Sequence, residues 1–367
     1  MSGMRSFSIL FRTDSRPKDG LINPWSDLGQ AIGMFTGGCR TEEDRSRREK
    51  ALRAIGFYDF GKPEYVLQVV EVAEPHAGPL QVRIRTVAAD IKISETFLPT
   101  GEFLDFLGPE FPGPDHPVVA GWDLAGIVDE VGSGAEARFA VGDSVIASIN
   151  GNTGRGAQAE YVVADIVSVV AAPAGITFVE AGSFLTNAIT ARAMIDALRL
   201  SPGETLAVSG GAGTVGGFVI ELAKADGYRV VADAKDGDHE FIQRAGADVV
   251  VPRSDDFARE ILKANGHVDG LIDAANIGDT LLAAVDEGRT AVSARMQTGE
   301  GERGVHWIPV FVGDYNTRTD MLEVLRDQAQ SGLLTLRVAD IYLPQQAREA
   351  YRRLQSGGFR GRLVFAF

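Results

Sequence analysis

Apolar and polar residues alternate in short segments along the first half of the chain, with glycine and proline between the segments. YVLQVVEVAEP and LQVRIRTVAA carry β-branched residues in near alternation and are separated by the turn-rich PHAGP. VVAGWDLAGIVDEVGSG, VGDSVIASIN and AQAEYVVAD are further strand candidates. Because alternation is typical of strands with one buried face, this half predicts a small, irregular β-barrel.

The pattern changes near Pro173. Thr177 and Glu180 have the spacing of a capping box, and apolar residues at helical spacing follow them. Strand-like and helix-like segments then alternate from TLAVSG through GGFVIELAKADG, YRVVADA, HEFIQRAGA, DVVVP, FAREILKANG and GLIDAA. This alternation predicts an α/β region, a doubly wound parallel sheet with helices on both faces. A terminal strand, RGRLVFAF, ends the chain.

The segment VSGGAGTVG lies between a predicted strand and a predicted helix. Its glycines recur at i, i+3 and i+6, a GxxGxxG variant of the dinucleotide-binding turn. The first glycine permits a tight turn, the middle one lets the backbone approach a pyrophosphate, and the last lets helix and strand pack closely. A helix N-terminus attracts phosphate, so this setting predicts a nicotinamide-cofactor site, with an ordinary tight turn as the alternative. The candidate cofactor-binding residues are Gly210, Gly211, Ala212, Gly213, Thr214, Val215 and Gly216.

The end of the second strand of this region, VVADAKDGD, bears on the choice between NAD and NADP. Asp233 stands where an acidic residue usually holds the ribose 2′-hydroxyl of NAD. Lys235 stands two residues further on and is suited to a 2′-phosphate. The two residues point to opposite cofactors, and a solvated loop is the alternative for both.

Composition excludes several partners. The formal net charge is −14, whereas nucleic acids and anionic membranes require a basic face. No segment approaches the ~20 apolar residues of a membrane span, and no signal peptide is expected. Cys39 is the single cysteine, so neither an intrachain disulfide nor a cysteine-based zinc site can form. We therefore expect a cytoplasmic protein that acts on a small molecule.

From about residue 56 onward the chain resembles the zinc-independent medium-chain dehydrogenase/reductase family, which includes quinone oxidoreductases, zeta-crystallin-like proteins and enoyl reductases. The resemblance rests on FGKPEYVLQVVEVAEP, HPVVAGWDLAGIVDEVGSGAEARFAVGDSVIA, GAQAEYVVAD, SFLTNAITARAMI, the glycine loop and GGFRGRLV. It spans both the predicted barrel and the predicted cofactor region, and the combination is far more specific than any single motif.

The resemblance implies two domains. A GroES-like β-barrel catalytic domain would cover residues 51–172 and be completed by residues 313–367, and a Rossmann domain would cover residues 173–312. NADPH, with NADH as the other possibility, would lie in the cleft between them. Residues 1–50 are expected to form an extension outside the main fold. Relatives are commonly dimers joined at the edges of the Rossmann sheet, so the resemblance also implies a homodimer.

Further cofactor contacts follow from position in the resemblance. Thr186 lies in a helix that approaches the nicotinamide in relatives, and Ala274 and Ala275 end a parallel strand, where ligands collect. Phe311 and Val312 match the strand that flanks the nicotinamide in relatives. Arg360 and Arg362 match a basic segment near the C-terminus, so the resemblance implies that all four residues contact the cofactor.

Departures from the wider superfamily bear on the reaction. Where zinc-dependent members carry ligands, this chain reads AADIKISE and AGWDLAG, so we expect no zinc. Without zinc to polarise an oxygen atom, reduction of a quinone or an activated C=C is favoured over alcohol oxidation. Quinone reductases often read NPxD where this chain has VAAD, and of that motif only Asp90 remains. Lys92, Ser94 and Tyr58 are further candidates for a substrate hydrogen bond, and a solvent proton would also suffice.

The leading hypothesis is therefore an NADPH-dependent, zinc-independent reductase of quinones or enones. Two alternatives stay open at this point. One is an enoyl-thioester reductase, which requires a basic patch at the mouth of the pocket. The other is a non-catalytic, crystallin-like protein that keeps the fold and binds NADPH.

Overall fold

The computed structural model describes residues 52–102, 111–113 and 116–367. The predicted N-terminal extension, residues 1–50, lies outside these ranges. Within them, no helix combines the length and the apolar composition that crossing a bilayer requires.

The described chain contains seventeen strands and eight α-helices. The strands are β1 (Leu52–Phe57), β2 (Gln68–Val72), β3 (Gln81–Ile91), β4 (Val118–Val119), β5 (Asp123–Val131), β6 (Ser144–Ser148), β7 (Tyr161–Asp165), β8 (Val169–Ala171), β9 (Thr205–Ser209), β10 (Arg229–Ala234), β11 (Val249–Pro252), β12 (Val268–Asp273), β13 (Val285–Ser293), β14 (Gly299–Glu300), β15 (His306–Ile308), β16 (Val338–Tyr342) and β17 (Arg362–Ala366). The helices are α1 (Pro63–Val66), α2 (Phe178–Ala181), α3 (Leu185–Leu198), α4 (Thr214–Ala225), α5 (His239–Arg244), α6 (Phe257–Ala264), α7 (Thr319–Gln330) and α8 (Ala347–Ser356).

The first eight strands and the last two form one lobe, whose named strands pair antiparallel except for β16 with β17, and which we call the antiparallel lobe. Its larger sheet has the order β16-β17-β3-β5-β6-β8, with β7 also paired to β3, and a second sheet has the order β2-β1-β4. The C-terminal strand β17 pairs antiparallel with β3, so the end of the chain lies beside Asp90. This long-range pairing brings Arg362 to the antiparallel lobe.

The other seven strands form a parallel lobe with the order β11-β10-β9-β12-β13-β15-β14. All neighbours are parallel except β14, which pairs antiparallel with β15. The chain runs outward from β9 through β10 to β11 and then returns to place β12 on the other side of β9. This reversal creates a crevice at the carboxyl ends of β9 and β12, where open α/β sheets bind ligands. The predicted α/β class is confirmed.

One apolar cluster joins the two lobes. It contains Leu185 and Ile189 of helix α3, Ile146 of β6 and Val208 of β9, all of them buried. Since α3 packs against strands of both lobes, its N-terminal residues lie at the junction between them.

Two elements differ from the sequence prediction. The predicted strand over YVLQVV begins as the short helix α1, which has a proline at its start and a strongly exposed tyrosine, Tyr65. The capping box of Thr177 and Glu180 is present, but the helix ends at Ala181 and α3 starts only at Leu185. A Cβ atom on Gly182 would lie 2.8 Å from the Ala88 carbonyl oxygen, so the break allows close packing on β3.

Candidate functional site

The glycine loop connects β9 to α4 at the crevice. Gly210 has φ +71°, a conformation that glycine adopts without strain. A Cβ atom on Gly216 would lie 2.3 Å from the Gly210 carbonyl oxygen, so a side chain there would push the helix away from the turn. These two glycines hold the first turn of α4 directly against the end of the central strand.

The N-terminus of α4 is open to a ligand. The N-cap residue is Gly213, which has no side chain to cap the helix, and Thr214 and Val215 in the first turn are only partly buried. The first N–H groups of a helix have no partner within the helix, and they carry the positive end of its dipole. The geometry of the loop is therefore suited to an anion such as a pyrophosphate.

Asp233, at the end of β10, forms its hydrogen bonds with other residues of the chain. Its side chain is buried, and Oδ1 accepts hydrogen bonds from the N–H of Gly210 at 2.6 Å and of Gly211 at 3.2 Å. Its other oxygen, Oδ2, accepts a hydrogen bond from Arg253 Nε, just after β11. Both oxygens are thus engaged in holding the glycine loop. Sequence reasoning missed Arg253, because nothing local marks it as the partner of a residue on another strand.

Basic side chains surround this end of the parallel sheet. Lys235 is exposed, and Arg360 forms an ion pair with Asp238, with 2.9 Å between Nε and Oδ1. Hydrogen bonding to Arg360 lowers the pKa of the Asp238 carboxyl. Arg337, which the sequence did not mark, lies over the Phe241 ring at 4.0 Å, and its guanidinium is 3.4 Å from the carbonyl oxygens of Ala212 and Gly213.

The residues predicted on the next strand also border the loop. The N–H of Ala275 donates to Ser209 Oγ at 3.0 Å, and Ser209 Oγ donates to Asp273. Ala274 and Ala275 are the nearest neighbours of the position that a Cβ on Gly210 would occupy. Phe311 and Val312 follow β15, and Val312 packs against the cluster that joins the lobes.

A cluster of buried charges lies in the antiparallel lobe at the end of β3. Lys92 Nζ is 2.6 Å from Asp90 Oδ1 and 3.0 Å from Asp123 Oδ2. All three side chains are at most 6% exposed. Burial raises the pKa of the Asp90 carboxyl, against the opposing effect of the Lys92 and Arg362 cations. We refer to Asp90, Lys92 and Asp123 as the charge cluster.

Thr186 and Arg362 extend the charge cluster toward the rest of the fold. The N–H of Thr186 lies 2.9 to 3.0 Å from the two oxygens of Asp123, and its hydroxyl also donates to that carboxylate. Arg362 donates to Asp90 Oδ2 at 3.1 Å and to the Ile91 carbonyl oxygen at 2.6 Å. The structure therefore brings Asp90, Lys92, Thr186 and Arg362 together. Arg362, which the sequence predicts at the cofactor, is hydrogen-bonded to Asp90 of the charge cluster. Tyr58 is half-buried against the apolar core of the antiparallel lobe.

The charge cluster does not have the composition of a metal site. Across the described ranges, no group of three or more His, Cys, Asp or Glu residues is arranged to hold a metal ion. Two carboxylates share one ammonium group and one guanidinium, so their charges are compensated by side chains of the chain itself.

Family models match two parts of the chain. The alcohol dehydrogenase GroES-like domain matches residues 78–174, and a model described as zinc-binding dehydrogenase matches residues 245–365. The first match covers most of the antiparallel lobe, and the second covers the end of the parallel lobe and the C-terminal strands.

The chain is similar to curated proteins that are named as reductases or oxidoreductases. The chain is 28% identical to the 2-methylene-furan-3-one reductase of Solanum lycopersicum over 249 residues, which are 66% of this chain and 61% of that protein. It is 25% identical to the quinone oxidoreductase of Pongo abelii over 334 residues, 86% of this chain and 98% of that protein. It is 27% identical to the chloroplastic NADPH-dependent alkenal/one oxidoreductase of Arabidopsis thaliana over 252 residues, 66% of this chain and 62% of that protein. The match thus spans about three fifths of two of these relatives and nearly all of the other.

Solved structures share the fold. The quinone oxidoreductase from Coxiella burnetii superposes with a TM-score of 0.74 at 24% identity, covering 87% of this chain and 100% of that one. The CurK enoyl reductase superposes with a TM-score of 0.74 at 21% identity, covering 86% of this chain and 99% of that one. At these identities the superpositions establish the common architecture.

Proposed function

The chain belongs to the medium-chain dehydrogenase/reductase family, of the quinone oxidoreductase type, and we propose that it is an NADPH-dependent, zinc-independent reductase of quinones or activated C=C bonds. The observation that carries the proposal is the buried Lys92 ammonium held between Asp90 and Asp123. It gives the reductase a fixed positive charge in the antiparallel lobe, while the glycine loop of the parallel lobe offers the anion site. The curated reductases named above support the same reaction class.

The glycine loop fits a dinucleotide. The N-terminus of α4 has no side-chain cap at Gly213, and the first N–H groups of a helix have no partner within it, so this helix end suits a phosphate. Gly210–Gly216 would hold the pyrophosphate, and Ala274, Ala275, Phe311, Val312 and Thr186 would border the nicotinamide half. When bound, NADPH supplies the hydride and the reducing electron pair.

The state of Asp233 supports NADPH over NADH. Its side chain is buried and its two oxygens already accept hydrogen bonds from the glycine loop and from Arg253, so a ribose 2′-hydroxyl would have to compete with these partners. Lys235 and Arg253 instead place two cations at this strand end, which suits a 2′-phosphate. We therefore propose NADPH as the preferred cofactor.

The charge cluster suits an acceptor that builds up negative charge. A quinone or enone gains electron density on its oxygen during reduction, and a fixed cation stabilises that charge most in a site with little water. The Lys92 ammonium lies within contact distance of two carboxylates, and we propose that Lys92 acts electrostatically and that the proton comes from solvent. Asp90, Asp123 and Thr186 position the ammonium group.

The same cluster supports a zinc-independent reaction. The segments that match the ligand-bearing segments of zinc-dependent relatives contain Asp90 and Asp123, and the Lys92 and Arg362 cations together already balance the charge of these two carboxylates. Adding a divalent cation there would place two cations within contact distance, which is strongly unfavourable away from water.

A substrate panel tests the proposal. NADPH oxidation is followed with a quinone, an alkenal and an enoyl thioester, with NADH as the matched cofactor control and metal analysis of the same preparation. We expect turnover of the quinone or alkenal with NADPH and no stoichiometric zinc. Preference for the thioester would indicate an enoyl-thioester reductase, and cofactor binding without turnover of any substrate would indicate a binding protein. Stoichiometric zinc needed for activity would overturn the zinc-independent assignment.

We also propose a cytoplasmic homodimer, following the resemblance. The outermost strand on one side of the parallel sheet is β14, two residues long and paired with β15. A partner subunit would have to join at this short strand or displace it. Light scattering after size-exclusion chromatography gives the mass directly, and a monomer at micromolar concentration would contradict the dimer.

A further inference from the structure

A second buried polar group lies next to the charge cluster. Glu95, Gln158 and Tyr351 are all 0% exposed, and they come from the turn after β3, the segment before β7, and helix α8. Tyr351 Oη is 2.7 Å from Glu95 Oε2 and 3.0 Å from Gln158 Oε1. Gln158 Nε2 is 2.8 Å from the same Glu95 Oε2. The three side chains form a closed ring of hydrogen bonds, which we call the Glu95 ring.

The orientation of the Gln158 amide in this ring is determined. Its Nε2 is also 2.8 Å from the Asp90 backbone carbonyl oxygen, which can only accept. Rotating the amide would place two acceptors against each other, so Nε2 is the atom that faces Asp90 and Glu95. The Oε1 atom, which only accepts, therefore faces the Tyr351 hydroxyl.

Counting protons then gives the charge state of Glu95. The ring has three contacts, while Gln158 Nε2 and Tyr351 supply one proton each to it. If Glu95 were ionised, either the 2.7 Å or the 3.0 Å oxygen–oxygen contact of Tyr351 would have no proton between its atoms. A proton on Glu95 Oε2 completes the ring, because Glu95 donates to Tyr351, Tyr351 donates to Gln158, and Gln158 donates to Glu95. Oε1 has no hydrogen-bond partner among the described residues, as suits the carbonyl of a neutral acid.

The surroundings of Glu95 agree with the proton count. The titratable and charged groups that face it are Asp90 on β3, Lys92 at the start of its own turn and Tyr351 on α8, with Arg362 behind Asp90. Burial, reinforced by the charge of Asp90, raises the pKa of Glu95 to about 8. The same burial raises the pKa of Tyr351 well above its usual value, so the phenol keeps its proton.

The Glu95 ring holds the backbone on both sides of Lys92. Gln158 binds the carbonyl oxygen of Asp90, and the N–H of Glu95 donates to the carbonyl oxygen of Lys92 at 3.2 Å. Lys92 therefore sits in a short segment that is anchored at either end. We propose that Glu95 is a neutral, protonated positioning residue, which keeps Lys92 between Asp90 and Asp123 only while it carries its proton. This role rests on the proposed function of Lys92, whereas the protonation itself does not.

The sign of the pH effect follows from the raised pKa. A buried carboxyl stabilises the fold fully below its unfolded pKa, about 4.3, and that contribution is lost as the pH rises through the folded value. Wild type is therefore expected to lose stability between about pH 5 and 8 relative to Glu95→Gln, which cannot ionise.

Infrared difference spectroscopy tests the protonation directly and needs neither cofactor nor substrate. At pH 7 we expect the carbonyl band of a protonated carboxylic acid, which disappears on titration to alkaline pH. The Glu95 component of this band should be missing in Glu95→Gln and retained in Glu221→Gln, a matched control whose carboxyl pKa is also raised by burial. Identical spectra of wild type and Glu95→Gln in this region would overturn the proposal.

Two further measurements address positioning and folding. The alkaline limb of the wild-type kcat profile should follow the infrared midpoint and be lost in Glu95→Gln, while the KM for NADPH stays unchanged. An unchanged alkaline limb would show that Glu95 does not position Lys92. If Glu95→Gln does not fold, Tyr351→Phe takes its place, because losing the ring partner must shift the frequency and midpoint of the band. An unshifted band in Tyr351→Phe would overturn the ring.

Discussion

The glycine loop presents neutral backbone N–H groups at an open helix end, whereas the charge cluster buries two carboxylates and an ammonium group. The loop depends on shape, since a single Cβ atom at Gly216 would collide with the Gly210 carbonyl oxygen. The charge cluster depends on compensation, since each ion is away from water and needs its partners. A substitution in the glycine loop is therefore expected to act by steric exclusion, and one in the charge cluster by loss of charge balance.

The largest effect is expected for Lys92→Met, which leaves Asp90 and Asp123 buried without their shared cation. Removing one partner of a buried ion pair destabilises by about 3–5 kcal/mol. We further expect kcat to fall by about 100-fold or more, because the fixed positive charge is lost. Urea denaturation and steady-state kinetics measure the two effects, with Lys263→Met at an exposed position as the matched control. Near-wild-type stability and turnover in Lys92→Met would show that the charge cluster has no role in the reaction.

The glycine loop is tested by Gly216→Ala. The new Cβ meets rigid backbone at 2.3 Å, and we expect NADPH affinity to fall by about tenfold or more, equivalent to about 1.4 kcal/mol. Gly217→Ala is the control one residue away, since its Cβ would lie 3.3 Å from the end of the flexible Arg337 side chain. Titration of nicotinamide fluorescence gives both dissociation constants. Equal affinities in the two variants would show that shape does not govern the loop.

Cofactor preference is tested by Lys235→Ala. The substitution removes one exposed ammonium group that we propose contacts the 2′-phosphate. We expect NADPH binding to weaken by about 3- to 10-fold and the affinity for NADH to stay unchanged. Arg253→Gln should lower the same NADPH/NADH ratio by a second route, since it also frees Asp233 for a ribose hydroxyl. Lys263→Ala serves as the control. A parallel loss of NADPH and NADH affinity in Lys235→Ala would place this lysine away from the 2′-phosphate.

The smallest effect is expected for Arg360→Gln. Arg360 is about two fifths exposed and already pairs with Asp238, and such surface ion pairs contribute about 0–1 kcal/mol. We expect thermal stability to change little and NADPH affinity to change by less than about threefold. Calorimetry and the same fluorescence titration measure these quantities. A tenfold loss of NADPH affinity would contradict this prediction and would show that Arg360 contacts the cofactor.

Much of the fold could be predicted from the sequence because its signals are local. The glycine spacing, the preceding apolar strand and the following helical pattern all fall within about twenty residues of Gly210. The alternation of strands and helices after Pro173 likewise predicts the parallel sheet. The helix break at Gly182 was not predicted, because its cause is contact with β3, nearly a hundred residues earlier.

The roles of individual charged residues could be predicted less well. The sequence predicts Asp233 at a strand end, as observed, but one of its partners is Arg253, which follows the neighbouring strand β11. Arg362 was assigned to the cofactor from its position near the C-terminus, and the pairing of β17 with β3 places it on Asp90. Glu95, Gln158 and Tyr351 carried no signal at all, since their ring joins three distant segments.

The sequence by itself determined the α/β class, the glycine turn between strand and helix at Gly210–Gly216 and the family resemblance, because each depends on residue types within short segments. Only the tertiary structure decided which charges face one another: Lys92 between Asp90 and Asp123, Asp233 against the glycine loop, and Glu95 in a ring that requires a proton. The physical reason is that a buried charge is governed by the partners that replace its water, and those partners come from strands that meet only when the chain folds.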